Sequence, residues 1–173
     1  MNEATRPRRA MPSDCEPLGI VHVQAWREAY ADIMPAEILA RLDPAERSAM
    51  WRDALGRGDI VHLADRDGAI VGFGSCRPQP DASLPQSAEI SALYVLRVAQ
   101  RQGVGRALMA AMARDLMVQG HTSASLWVLE ANMPARRFYA ALGGREVARR
   151  EQERGGFRAV GIAYGWDDLS VLA

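Results

Sequence analysis

Six residues, Gln100-Arg101-Gln102-Gly103-Val104-Gly105, have the make-up of a turn that holds an anion. An apolar run from Glu89 to Leu96 precedes them and reads as a strand. Arg106 to Gln119 follows and reads as a helix that ends at Gly120. A helix begins with amides that have no intrahelical partner, and its dipole favours negative charge at that end. Glycine lets the backbone approach a phosphate with no Cβ in the way. A nucleoside-triphosphate loop would need Gly-Lys-Ser or Gly-Lys-Thr, and Gly105 is followed by Arg106-Ala107. A dinucleotide fingerprint would need a third glycine where Leu108 stands. On these residues alone, a turn that merely closes a strand–helix connection stays open as an alternative.

Other chemistry is narrowed by what the chain lacks. All 21 basic residues are Arg, so no lysine is available for a Schiff base. Cys15 and Cys76 are too few for a disulfide framework or a zinc site. His22, His62 and His121 show no ligand spacing, and no metal is expected. Basic and acidic residues cancel, 21 against 21. Apart from Arg6, Arg8 and Arg9 nothing suggests a nucleic-acid surface. Apolar residues make up 49%, which excludes disorder. No run of about 18 apolar residues would span a membrane, and no signal peptide is visible, so a soluble cytoplasmic protein is expected.

The elements that must carry the turn follow from periodicity. The chain to about Ala10 reads as a short edge strand, where Pro7 is tolerated. Ser13-Asp14-Cys15-Glu16 predicts a capping box with Ser13 as N-cap. The helix after it, to about Ala31, has Ile20, Val23, Trp26 or Arg27, and Tyr30 on one face. Helical stretches follow at Ala36–Leu42 and Ala45–Leu55. Strands are predicted at Ile60–Ala64 and Ala69–Cys76, joined by a hairpin turn at Asp67-Gly68. Gln79 to Gln86 is a loop. After the long helix come a strand at Thr122–Leu129, a helix opened by Pro134 and ended by Gly143-Gly144, and an antiparallel pair, Arg145–Gln152 and Arg158–Trp166, across Glu153–Gly156. This is one α/β domain over residues 1–173.

The spacing Gln-x-x-Gly-x-Gly after Leu93-Tyr94-Val95 resembles the acetyl-CoA signature of the GNAT family of N-acetyltransferases. Leu126–Asn132 followed by Ala135-Arg136-Arg137-Phe138-Tyr139 and Leu142-Gly143 is similar to that family's next strand and helix. The resemblance is specific from about Glu89 to Val147 and general over the first 56 residues. It implies an α+β fold: a mixed, mostly antiparallel sheet of about six to seven strands flanked by about four to five helices. It implies that a bulge spreads the strand at 89–96 from the strand at 122–129, opening a cleft for acetyl-CoA. The pantetheine arm is then expected along Leu93, Tyr94 and Val95. The pyrophosphate is expected on the amides of Arg101, Gln102, Gly103, Val104, Gly105 and Arg106. Arg101 and Arg106 either add charge there or are solvated residues at a helix start.

Acetyl transfer to an amine requires loss of a proton from the ammonium, donors for an oxyanion, and protonation of the departing thiolate. By the resemblance, Glu89, eleven residues before Gln100, is the candidate base, directly or through water. Tyr139 is the candidate acid, Asn132 a pantetheine contact or a helix cap, and the N–H of Leu93 or a neighbour the oxyanion donor. Glu130 reads as a polar residue at a strand end, with a reserve role as base. Trp26 and Tyr30 are candidates for the acceptor side, or for core. Cys76 and the stripe Leu108, Met112, Leu116 read as core. The expected activity is direct transfer from acetyl-CoA, as co-substrate, to a small-molecule amine in a ternary complex. Protein N-terminal or lysine acetylation is the alternative within the class, and a non-catalytic acyl-CoA sensor the alternative outside it. The resemblance is compatible with a homodimer.

Overall fold

Asp67 and Gly68 both take positive φ, 51° and 80°, the geometry that lets two strands reverse with matching twist. That hairpin starts the central sheet. The computed structural model describes residues 6–154 and 157–173. Its strands are β1 (Arg8–Arg9), β2 (Ile60–Arg66), β3 (Ala69–Pro78), β4 (Ala88–Val95), β5 (Ala124–Leu129), β6 (Arg145–Arg154) and β7 (Phe157–Trp166). They form one sheet in the order β1-β2-β3-β4-β5-β7-β6. Its helices are α1 (Cys15–Tyr30), α2 (Ala36–Ala40), α3 (Pro44–Gly56), α4 (Val104–Val118) and α5 (Met133–Ala141). The mixed α+β expectation holds, and the edge strand at Arg8–Arg9 pairs with β2. The final antiparallel pair reaches Arg154 and Phe157. Gly155 and Gly156, with the first five residues of the predicted edge strand, lie outside the described residues.

One junction in the sheet differs from the rest. Neighbouring strands are antiparallel except β4 and β5, which run parallel over two pairs, Ala88–Ala124 and Glu89–Ser125. Beyond that point β4 continues with β3 as far as Val95–Gly72, and β5 continues with β7 as far as Leu129–Gly161. The cause is local. Ala92 pairs with Ser75 but Ile90 pairs with Cys76, so Ser91 is an extra residue on β4. Such a bulge bends its strand and ends pairing. The strands part where the resemblance requires a cleft.

Helices cover both faces. On one, Met109, Met112 and Leu116 of α4 pack with Ile60, Cys76, Ile90, Leu126 and Tyr164, together with Tyr139 of α5 and Leu142 just after it. On the other, Leu18 of α1 and Trp51 of α3 pack on Val61, Leu63 and Phe73. Leu108, Met112 and Leu116 are core as expected, and so is Cys76, whose thiol burial pushes up to about 12.

Two local expectations fail. Ser13 is not the cap: a 3-10 turn begins at Pro12, and the carboxylate of Asp14 accepts from the Met11 N–H at 2.7 Å. Proline's fixed φ starts the turn early, which moves the cap from Ser13 to Met11 and the carboxylate that reaches back from Glu16 to Asp14. Ile20 is not on the buried face; it is 54% exposed, while Leu18, Val21, His22 and Ala25 are buried. Gly19 explains the rotation. A Cβ there would lie 2.2 Å from Ser48 Oγ and 2.5 Å from the Pro44 carbonyl, so α1 and α3 cross in contact at Gly19. Among the described residues no helix is long and apolar enough to cross a membrane.

Candidate active site

The turn between β4 and α4 has the form its sequence suggests. Gly103 precedes the helix at φ 84°, and a Cβ on it would point into open space. The first helical bond recorded runs from Ala107 N–H to Gly103 C=O at 3.0 Å, so the amides of residues 103–106 precede the ladder. Arg101, exposed, also has positive φ, 60°. Gly105 has a different duty: a Cβ there would meet the Phe138 ring at 3.2 Å, so α4 and α5 approach at this residue. The turn is braced from beside it. Arg66 donates to Gln102 Oε1 at 2.6 Å, and the Gln102 amide donates to the Val98 carbonyl at 3.1 Å.

The free edge of β4 leads away from this turn. Leu96 N–H bonds to Val71 C=O on β3 at 2.9 Å. Antiparallel pairs alternate, so Tyr94 and Ala92 also spend their backbone groups on β3. Leu93 and Val95 therefore present theirs to the gap beside β5. Gln100 confirms the direction, since its amide donates to the Val95 carbonyl at 2.9 Å. Of the three residues expected along the pantetheine, Leu93 and Val95 offer backbone groups to the gap. Tyr94 instead sends its hydroxyl to that of Tyr30, 3.1 Å away.

The second predicted segment opens α5. Asn132 is its N-cap, Oδ1 accepting from the Ala135 N–H at 3.2 Å. Tyr139, two turns further, is 7% exposed, and its ring packs on those of Tyr164 and Trp166 with centroids 5.9 and 6.2 Å apart. Burial raises its phenol above the ordinary tyrosine range, and the nearby Tyr30 phenol raises it further. Tyr139 thus stays protonated at neutral pH.

Glu89 sits at the narrow end of the gap, on the last residue pair that joins β4 to β5. Ala88 and Ile90 face α4, so the Glu89 side chain lies on the opposite face, the side of α1. Arg77, directly across on β3, donates from Nε to Glu89 Oε2 at 2.8 Å. Glu130, by contrast, is gripped by Arg149 at 3.1 Å.

Trp26 and Tyr30, expected on the acceptor side or in the core, lie in an aromatic cluster. Trp26, Tyr30 and Tyr94 contact one another, with ring centroids 5.1 to 6.5 Å apart. Tyr30 and Met34 also pack with Leu129, Phe157 and Ala159. A small cavity of about 140 Å³ lies there, lined in part by Ile33, Leu129, Phe157 and Ala159. A larger groove, about 530 Å³, lies elsewhere, on the outer side of α1 beside Ile20, Arg27 and Arg97. Sequence reasoning missed Arg77, because its partnership with Glu89 depends on strand register. It also missed the anchoring roles of Gln100 and Gln102, which no spacing rule announces.

Three comparisons bear on this geometry. The family model described as Acetyltransferase (GNAT) family matches residues 23–143. The uncharacterized N-acetyltransferase YuaI of Bacillus subtilis (strain 168) is 36% identical over 165 residues, covering 95% of this chain and 94% of that protein. Two solved structures share the fold. The PaiA N-acetyltransferase from Thermoplasma acidophilum, in complex with coenzyme A, superposes with a TM-score of 0.75 at 17% identity, covering 93% of this chain and 98% of that one. The putative acetyltransferase YncA from Salmonella typhimurium, with its cofactor acetyl-CoA, gives 0.72 at 19% identity, covering 96% and 95%.

Proposed function

The chain belongs to the GNAT family of acetyltransferases and is an N-acetyltransferase; from that premise we propose that it moves the acetyl group of acetyl-CoA to a primary amine of a small molecule by direct attack in a ternary complex. The observation that carries this reading is the parting of β4 from β5 after two residue pairs, with the free edge of Leu93 leading to the turn at the start of α4.

The residues present fit acetyl-CoA. The amides of residues 103–106 form the pyrophosphate cradle, and the open space in front of Gly103 leaves room for it. Arg101 and Arg106, both exposed, add positive charge. Asn132 spends Oδ1 on its helix cap, which leaves Nδ2 to donate to the pantetheine arm. Bound acetyl-CoA supplies an activated acyl group, so the chain need supply no nucleophile.

The chain's own groups then handle protons and charge. Glu89 takes the proton of the amine through the oxygen that Arg77 does not hold, directly or by way of water. The Leu93 N–H donates to the oxyanion. Tyr139, kept protonated by burial, gives its proton to the leaving sulfur. The packing of Tyr30 and Met34 against Leu129 and Phe157 narrows the acceptor side, which suits a compact amine better than a polypeptide.

Release of CoA thiol, followed while acetyl-CoA and a primary amine are varied together, tests this reading. Intersecting initial-velocity lines are expected. Parallel lines would contradict direct attack, and no thiol release with any primary amine would contradict acetyl transfer.

A further inference from the structure

The face of the sheet that carries Glu89 holds a second polar group of residues. Leu129 packs with Tyr30 of α1, while Leu126 and Val128 face α4. Alternation therefore puts Trp127 and Ser125 on the Glu89 face. Arg150 joins them from β6. It pairs with Gly161, which pairs with Leu129, and directly opposed residues share a face. Between β5 and β6 that face of β7 carries Gly161 and Ala163, too small to intervene. The Arg150 guanidinium lies over the Trp127 ring, 3.9 Å from its centroid.

Two features of this corner call for an anion. The Trp127 indole N–H is buried and has no hydrogen-bond partner among the described residues. A buried donor left so costs free energy that a ligand able to accept its bond would recover. The Arg150 guanidinium already accommodates a carboxylate: Asp81, from the loop between β3 and β4, sits 2.8 Å from Nη1. The same loop lies close on this face, since Gln79 donates to Ser125 Oγ at 2.7 Å and the Asp81 N–H donates to Gln79 Oε1 at 3.1 Å.

The corner lies near the proposed base. Ser125 is the strand partner of Glu89, and Trp127 is two residues further, ~7 Å along β5. The Glu89 carboxylate and the pair Arg150 and Trp127 thus share one face of the sheet. We propose that the acceptor is an amino acid: its amine is read at Glu89, and its carboxylate replaces Asp81 on Arg150 and accepts from the Trp127 N–H. This rests on the acetyl-transfer reading above and adds the substrate class to it. A protein N-terminus lacks that carboxylate and so fits poorly.

A matched panel tests it. Thiol release is measured with free amino acids, their carboxamides and the corresponding decarboxylated amines, on the wild-type chain and on Trp127→Phe and Arg150→Gln. The wild type is expected to prefer the acid over its amide in kcat/KM by at least about tenfold, the range for a charge-assisted bond. Both substitutions should collapse that preference toward one. Equal turnover of acids, amides and decarboxylated amines by the wild type would overturn the carboxylate site while leaving acetyl transfer intact. A preference that survives both substitutions would overturn the assignment to Trp127 and Arg150. No release with any amine would instead remove the acetyl-transfer reading, and this proposal with it. The wild-type comparison needs no variant, so a substitution that fails to fold leaves the test standing.

Discussion

At the residue scale, Tyr139 shows how packing sets chemistry. Its phenol is enclosed by Phe138, Tyr164 and Trp166, and burial holds it in the protonated form. A group kept protonated can donate to a thiolate at neutral pH but cannot act as a base there. Tyr139→Phe should therefore lower kcat roughly 10²-fold, a usual size for loss of a positioned proton donor, with acetyl-CoA affinity nearly unchanged. Calorimetry of acetyl-CoA binding beside steady-state rates separates the two quantities, and unchanged turnover would remove Tyr139 as the acid. The position of Tyr139 was legible because a motif marks it. The pairing of Glu89 with Arg77 was not. The two residues lie twelve apart in sequence, and only the β3–β4 register brings them opposite each other.

At the element scale, α1 and α3 are joined through a neutral histidine. The Trp51 indole N–H donates to His22 Nδ1 at 3.1 Å, in a shell that includes Phe73 and Tyr94. Burial first, and the nearby Arg47 second, push the His22 imidazole down to about 3. A histidine depressed in the fold contributes stability that is present above its unfolded value of about 6.5. That stability is lost as pH falls from there toward the folded value. The full span is worth on the order of 5 kcal/mol. Thermal unfolding between pH 7 and pH 4 should show the loss. His22→Asn keeps an acceptor for Trp51 but does not titrate, so it should flatten the slope. His62 is also lowered by burial, against the pull of Asp115, and will retain part of the slope. An unchanged slope would show that His22 is not the group responsible. Periodicity located α1 within a residue or so at each end, yet it chose a face that included Ile20. The contact that decides the face is made by Gly19, a residue that hydrophobic patterning does not count.

At the scale of the whole molecule, the cleft belongs to the sheet rather than to any segment. Ser91 adds one residue to β4, and pairing with β3 continues on both sides of it with the register shifted by one. The strand therefore has to leave β5, which stays with β7. The turn at Gln100–Gly105 then stands at the far end of an exposed backbone edge. On the α1 face, residues of α1, β5 and β7 pack together beside that edge. The hairpin at Asp67-Gly68, the long α4 and the motif segments could be read directly from sequence, because each is a local pattern. The bulge, the strand order and the corner at Arg150 and Trp127 could not, because they arise from pairing between distant strands.

The central claim is that acetyl-CoA lies in the β4–β5 gap, with its pyrophosphate at the start of α4 and its thioester beside Tyr139. A crystal structure of the chain with coenzyme A tests this most directly. The account predicts pyrophosphate oxygens on the amides of residues 103–106, the pantetheine paired with the edge of Leu93, and the sulfur within hydrogen-bond reach of the Tyr139 hydroxyl. Coenzyme A seated in the groove on the outer side of α1, or in the gap with its sulfur remote from Tyr139, would contradict it.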